Sequence, residues 1–268
     1  MERKTLLVLV FLILCIIASI IRSRSRENAK SCNLVPLASF TYDAYVINLP
    51  RDTTRMKIFS DAYKKSDLAS THSLIRFEGV VGKNVPIAEV LSTKALHEIL
   101  RAERLQYRQK HYELTRGAVG CFLSHTKLWE SILESDKDMA LIFEDDCRMA
   151  RNTQEILDTI TIPADTDLLL LGYFCNQCTK TQCGVLRVKK FFGLHAYMLT
   201  RKGIQKILKN PKMQEINKQI DSVLSDMIRD GELNVYALPQ PIAWQNGMPT
   251  TIQMQLKKVD GIDEWSDE

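Results

Sequence analysis

Three adjacent acids, Glu144, Asp145 and Asp146, follow the apolar residues 140–143 in ALIFEDDCRM. Hard divalent cations prefer carboxylate oxygens, and Mn2+ or Mg2+ serving a nucleotide is typically held by one or two carboxylates while phosphate oxygens fill other positions. At a strand end, residues i and i+2 point the same way, so Glu144 and Asp146 can flank one ion while Asp145 faces elsewhere. The plain alternative is a solvated acidic turn, which spacing alone favours. In VINLPRDTTR (46–55), Arg51 and Arg55 open a helix whose start offers Asp52, Thr53 and Thr54 as caps. A helix N-terminus with guanidinium groups suits a diphosphate. A capped helix with two exposed arginines explains the same residues equally well.

TRGAVGCFLSHTKLW (115–129) places Gly117 and Gly120 near a helix start, which points to close approach of backbone or ligand. Ser124 and His125 lie on that helix among Cys121, Leu128 and Trp129. A lone histidine is more often a structural hydrogen-bonding residue than a catalyst, and no matching nucleophile completes a triad. Asp221 and Asp226 lie on an amphipathic stretch, 218–230, where carboxylates are usually the wet face. One of them serves as a general base if it faces the chemistry.

The elements that must position these residues alternate in type. Strands are expected at 44–49, 74–82, 139–144, 167–173, 193–200 and 232–239. Helices are expected at 53–65, roughly 92–108, 115–135, 151–160, 201–208 and 218–230. Strands alternating with helices, several of them continuously apolar, indicate an α/β sheet covered on both faces. Ligands gather at the carboxyl ends of strands in such sheets, which brings 48–55 and 144–146 to one rim if their strands are parallel neighbours.

Charge excludes one class of partner. Residues 1–30 hold six bases and two acids, and the remaining 238 residues balance 30 bases with 30 acids. The folded body therefore lacks the basic footprint of a nucleic-acid binder. The uncharged run at 5–21 is at the short end of a membrane span, and the chain continues into RSRSR with no small-residue cleavage site. An uncleaved anchor is the reading, with a cleaved signal peptide as the alternative. Two bases precede the run and four follow it, which the positive-inside rule reads as a cytosolic body. The usual single-anchor secretory enzyme has the opposite arrangement, a catalytic domain in the endoplasmic reticulum or Golgi lumen, and both orientations stay open. Cys175, Cys178 and Cys183 lack a nearby fourth ligand for a zinc knuckle, so a local disulfide or free thiols is the simpler account. The expected organisation is an anchor and basic flank at 1–30, a stem at 31–41, one domain at 42–245 and a tail at 246–268.

Taken together and in order, YVINLPRDTTR, LTRGAVGCFLSHTKLW, ALIFEDD, DLLLLG and AYMLTRKGIQKIL resemble glycosyltransferase family 25, over about 45–241. That family holds bacterial lipooligosaccharide galactosyltransferases and the collagen hydroxylysine galactosyltransferases. The resemblance implies a GT-A type fold, a Rossmann-like nucleotide-binding α/β sheet, with a UDP-sugar donor and Mn2+ or Mg2+. It implies Glu144 and Asp146 as metal ligands and Asp145 at the donor. Arg51 and Arg55 would hold the diphosphate, Asn48 and Leu49 the uridine, and Ser124 and His125 would line the donor site. Inversion at the sugar needs a base for the acceptor hydroxyl, and Asp221 is the candidate by order in the chain. The implied activity moves a hexose, galactose first, from UDP to a glycan or glycoprotein hydroxyl. Family members usually carry an acid where Ala118 stands and Asp where Thr54 stands. A catalytically inactive binding or adhesion module is the alternative.

Overall fold

Odd and even residues of the same strand enter different cores in this protein. In a computed structural model, which describes residues 33–106 and 113–247, strand β3 (Met139–Glu144) sends Ala140 and Ile142 to one side and Met139, Leu141 and Phe143 to the other. A period of two with apolar residues at every step means that both faces are covered. The first core takes in helices α2 (Thr93–Leu105), α3 (Arg116–Ile132), α5 (Arg201–Leu208) and α6 (Ile220–Arg229), through Ile99, Trp129, Ile204 and Leu224. The second takes in α1 (Thr53–Tyr63) and α4 (Thr153–Thr159), through Phe59 and Leu157.

Between these layers lies a six-stranded mixed sheet. Strand β1 (Tyr42–Asn48) is parallel to β2 (Leu74–Glu78) and to β3, with Ile47 opposite Glu144. Beyond β3 come β6 (Leu186–Thr200), antiparallel to it, then β5 (Leu168–Lys180), and finally β7 (Val235–Ala237), parallel to β5. The order is β2-β1-β3-β6-β5-β7. Because β1 and β3 are parallel neighbours, Asn48 and Glu144 end at the same rim, as the sheet rule anticipates.

Several features exceed the sequence expectation, and two stand out, one by its length and one by following directly on the acids. Strands β5 and β6 run past 173 and start before 193, pairing as a ribbon that turns at Gly184, where φ is +76°. Residues 174–192 interleave Asn, Gln, Thr, Lys and Arg with apolar residues and so offer no long apolar run of the kind that marks a strand. Cys175 and Cys178 in this ribbon are disulfide-bonded, with Cα atoms 6.0 Å apart, and Cys183 is disulfide-bonded as well. The second feature is a two-stranded antiparallel pair, β4 (Cys147–Met149) with β8 (Ala243–Gln245), each too short to show a period.

Residues 35–41, expected as stem, lie in the unit Val35–Glu268, and Leu37 is buried there. The apolar run 5–21, the end of the 92–108 helix and the tail beyond Gly247 fall outside the described residues. Among the described residues, no helix is long and apolar enough to cross a membrane.

Candidate active site

Helix α3 is pressed onto the loop after β2 so closely that two positions exclude a side chain. A Cβ on Gly120 would stand 2.5 Å from the Val80 carbonyl oxygen, and one on Gly82 would meet the backbone of Arg116. The glycine at 120 thus answers to backbone contact. Ser124 reinforces it: its hydroxyl donates to the Gly120 carbonyl at 2.6 Å and accepts the Val80 N–H at 2.8 Å. Thr115 caps the helix by accepting the Ala118 N–H at 3.0 Å, and Ala118 itself is buried in the core.

The acids at the end of β3 divide into two networks. Asp145 turns toward β1 and α1: its Oδ2 accepts from Asn48 Nδ2 at 2.6 Å, and its Oδ1 accepts from Arg55 Nε at 2.7 Å. Arg55 also reaches Asp146 at 3.1 Å. The two arginines therefore diverge. The Arg55 side chain is 12% exposed and lies between carboxylates, whereas the Arg51 side chain is 55% exposed and stands 3.7 Å from Asp52. Asn48 is buried, and its amide nitrogen is shared between Asp145 and the Asp52 carbonyl. Leu49 is half-buried beside Gly79, and Asp52 makes no side-chain capping bond to α1.

Glu144 turns the other way, toward α3. Its Oε1 lies 3.1 Å from His125 Nε2 and 3.9 Å from Cys121 Sγ. His125 Nδ1 lies 2.8 Å from the Tyr197 hydroxyl, which also accepts the Trp129 indole N–H at 2.9 Å. This places His125 in a buried network behind Glu144. Asp221, at the start of α6, accepts the Gly193 N–H at 3.1 Å and the Ser222 N–H at 2.7 Å. Gly193 has φ +80°, a conformation that glycine adopts without a Cβ clash and that directs its N–H to the carboxylate.

Electrostatics set these acids apart from surface carboxylates. Burial and the neighbouring Glu144 charge push the Asp146 carboxyl up to about 7, against the pull of Arg55. Burial also raises Asp145, with Asn48 and Arg55 opposing, and raises Asp221, with the Gly193 and Ser222 N–H groups opposing. Burial acts on Glu144 too, but the His125 hydrogen bond and charge outweigh it and hold that carboxyl below its usual value. Asp146 Oδ1 is buried with no hydrogen-bond partner among the described residues. Clustered carboxylates with an unpartnered oxygen fit a hard divalent cation, since oxygen ligands and excess negative charge are what such an ion requires. Glu144 and Asp146 are the residues that could hold it.

The rim also contains residues that sequence reasoning missed. His195 is buried, with the Ala243 carbonyl near its ring and Nδ1 unpartnered, and Glu144 acts on it electrostatically. Its only signal was a polar residue inside the apolar GLHAYMLT. Cys121 and Tyr197 were legible as core residues, not as partners of Glu144 and His125.

Comparison with known proteins gives this geometry its setting. The model of glycosyltransferase family 25 (LPS biosynthesis protein) matches residues 42–224. A Haemophilus influenzae protein named "Putative glycosyltransferase" is 26% identical over 211 residues, 75% of this chain and 70% of its own. Procollagen galactosyltransferase 1-A of Xenopus laevis is 33% identical over 106 residues, 35% of this chain and 17% of its own. A human protein named inactive glycosyltransferase 25 family member 3 is 38% identical over 64 residues, 22% of this chain and 11% of its own. This chain thus spans only a small part of the latter two relatives. Among solved structures, GalNAc-T7 with UDP, GalNAc and Mn2+ is similar with a TM-score of 0.46 and 10% identity, over 80% of this chain and 45% of that one. The family match begins with β1 and ends in α6 beyond Asp221, and so takes in the acids of the rim and the helix opposite them: the chain belongs to glycosyltransferase family 25.

Proposed function

We propose that this chain transfers a hexose, galactose first, from a UDP-sugar to a hydroxyl of a glycan or glycoprotein acceptor, with inversion and with Mn2+ or Mg2+ on Glu144 and Asp146. The observation that supports it best is the rim itself: Asp145 and Asp146 share the half-buried guanidinium of Arg55, Glu144 lies beside them within electrostatic reach of Asp146 and Asp221, and one Asp146 oxygen is unpartnered. A cation at the first and third acids would offset the charge that develops on a departing diphosphate.

The chain's own residues supply the remaining tasks in this reading. Arg55 and Asn48 hold Asp145 and so fix the turn that follows Glu144 and carries Asp145 and Asp146. His125, steadied by Tyr197, holds Glu144. Asn48 ends β1 and Leu49 follows it where the uridine would sit, Ser124 keeps the 80–82 backbone in place behind them, and Arg51 presents the more exposed guanidinium for the diphosphate. Asp221 takes the proton from the acceptor hydroxyl as its oxygen forms the new glycosidic bond and the sugar's bond to UDP breaks. Its raised carboxyl pKa strengthens it as a base. In the same reading the body is anchored through residues 5–21 and faces the lumen of the endoplasmic reticulum or Golgi. The Cys175–Cys178 disulfide supports an oxidising compartment.

The competing reading is a silent binding module. It is favoured by the buried Ala118, where family members usually carry an acid, and by the existence of a relative named inactive. A screen of UDP-sugars with Mn2+ separates the two by measuring released UDP and UDP affinity. Mn2+-dependent UDP release supports transfer. Neither donor hydrolysis nor Mn2+-dependent UDP binding would mean a silent module. Protease protection in microsomes tests the orientation, since a lumenal body is shielded until the membrane is opened.

A further inference from the structure

Cys121 and His125 stand four residues apart on α3, which places them on one face of the helix, and both meet Glu144 at the end of β3. Their ligating atoms, thiol sulfur, imidazole nitrogen and carboxylate oxygen, all lie within 4.8 Å of one another. A tetrahedral zinc ion with bonds of about 2.0–2.3 Å holds its ligand atoms about 3.3–3.6 Å apart. Here His125 Nε2 is 3.1 Å from Glu144 Oε1, and Cys121 Sγ is 3.9 Å from the same oxygen, so shifts of a few tenths of an ångström bring these pairs to that spacing.

The surroundings also suit an ion. A metal-binding histidine usually has its second ring nitrogen held by a hydrogen bond that sets the ring. His125 Nδ1 has such a bond, at 2.8 Å to the Tyr197 hydroxyl, and Trp129 steadies that hydroxyl in turn. A hydrogen bond from a thiol to a carboxylate at 3.9 Å is weak, so the Cys121 contact with Glu144 is poorly accounted for as a structural bond. Three protein ligands of sulfur, nitrogen and oxygen type with a fourth position left to solvent or substrate make up a zinc-class set. Mn2+ and Mg2+ prefer oxygen alone.

We infer that Cys121, His125 and Glu144 form a binding site for Zn2+ or a like borderline-soft ion, different in its donors from the Glu144–Asp146 pair but sharing Glu144 with it. Binding releases the Cys121 thiol proton to solvent, because the thiolate is the ligand. Only the consequence for activity rests on the glycosyltransferase reading: an ion here engages Glu144, so Zn2+ competes with Mn2+. The site itself does not depend on any reaction.

Co2+ titrated into the full chain tests the site directly, since a cobalt–thiolate bond gives a charge-transfer absorption in the near ultraviolet. The expected result is that band at one equivalent, displaced by Zn2+, lost in Cys121→Ser and kept in Cys147→Ser. His125→Gln should weaken Zn2+ affinity by tenfold or more. Absence of the band in the wild-type protein, or its survival unchanged in Cys121→Ser, overturns the site. A measurement on the unaltered chain guards against a variant that misfolds. Zn2+ should slow alkylation of Cys121, read by mass spectrometry on its peptide, and an unchanged rate at saturating Zn2+ counts against the proposal as decisively.

Discussion

Asp167 and the acids of 144–146 are both buried carboxylate sites, but their charges are balanced in different ways. Asp167 is fully buried just before β5, where its Oδ2 accepts from Lys206 Nζ at 2.6 Å and from the Asn234 N–H at 2.9 Å. One anion meets one cation there, and the pair ties β5 to α5 and to the approach to β7. At the rim of β1 and β3, Asp145 and Asp146 share the half-buried Arg55 with Glu144 beside them and Asp221 near Glu144, and the Asp146 carboxyl rises to about 7 through burial and like charge. Both sites contain an oxygen without a hydrogen-bond partner, Asp167 Oδ1 and Asp146 Oδ1, so an orphan atom alone does not distinguish them. The distinction is net charge. A one-to-one pair stabilises a fold, whereas an uncompensated cluster stores repulsion that a bound cation relieves.

Substitutions at the two sites should therefore separate stability from function. Asp146→Asn should lower Mn2+-dependent transfer by about 10^3-fold, the effect of losing several kcal/mol of charge stabilisation. It should leave the thermal midpoint unchanged or raised, because one of the repelling charges is gone. Wild-type turnover in that variant would falsify the metal assignment. Asp221→Asn should reduce kcat by about 10^2-fold with UDP affinity nearly unchanged. Loss of UDP binding in its place, read by calorimetry, would give Asp221 a structural role.

Asp167→Asn is the mirror experiment. It should cost about 2 kcal/mol in denaturant unfolding, the scale of a hydrogen bond to a charged group, and leave UDP affinity unaltered. An unchanged unfolding midpoint would show that the one-to-one pair contributes little. The smallest effect is expected for Ser124→Ala, about 1 kcal/mol, because the Val80 N–H loses its acceptor. UDP affinity within twofold of wild type would make Ser124 a support for the 80–82 backbone, and a larger loss would restore it to the donor site.

Much of this arrangement was legible in the chain. The strand at 139–144 and helix α5 have the boundaries the sequence predicts, the strand because it is a continuous apolar run ended by acids and the helix because its apolar residues recur at helical spacing. The placing of 48–55 beside 144–146 followed from an alternating α/β order and was met by the parallel pairing of β1 with β3. The ribbon of β5 and β6 is longer than the expected strands, since polar residues interleaved through its paired length break the apolar run. The pair β4 and β8 went unseen because three residues cannot show a period.

Within the site, residue types and strand-end position were readable, and partners were not. Asn48 and Asp145 are 97 residues apart in the chain and 2.6 Å apart in space. Arg55 reads as a phosphate-facing residue beside Arg51, yet it is turned inward onto Asp145 and Asp146 by the packing of α1 against β1 and β3.

The sequence by itself determined that three acids would end a buried strand, that a helix carrying Cys121, Ser124 and His125 would precede it, and that the motifs would stand in the order of family 25. These are local matters of period, capping and composition. Only the tertiary structure decided that Asp145 faces Arg55, that Glu144 faces Cys121 and His125, and that Asp146 keeps an unpartnered oxygen. Those outcomes depend on strand register and on the approach of α3 to the 80–82 backbone, long-range contacts that no short stretch of sequence encodes.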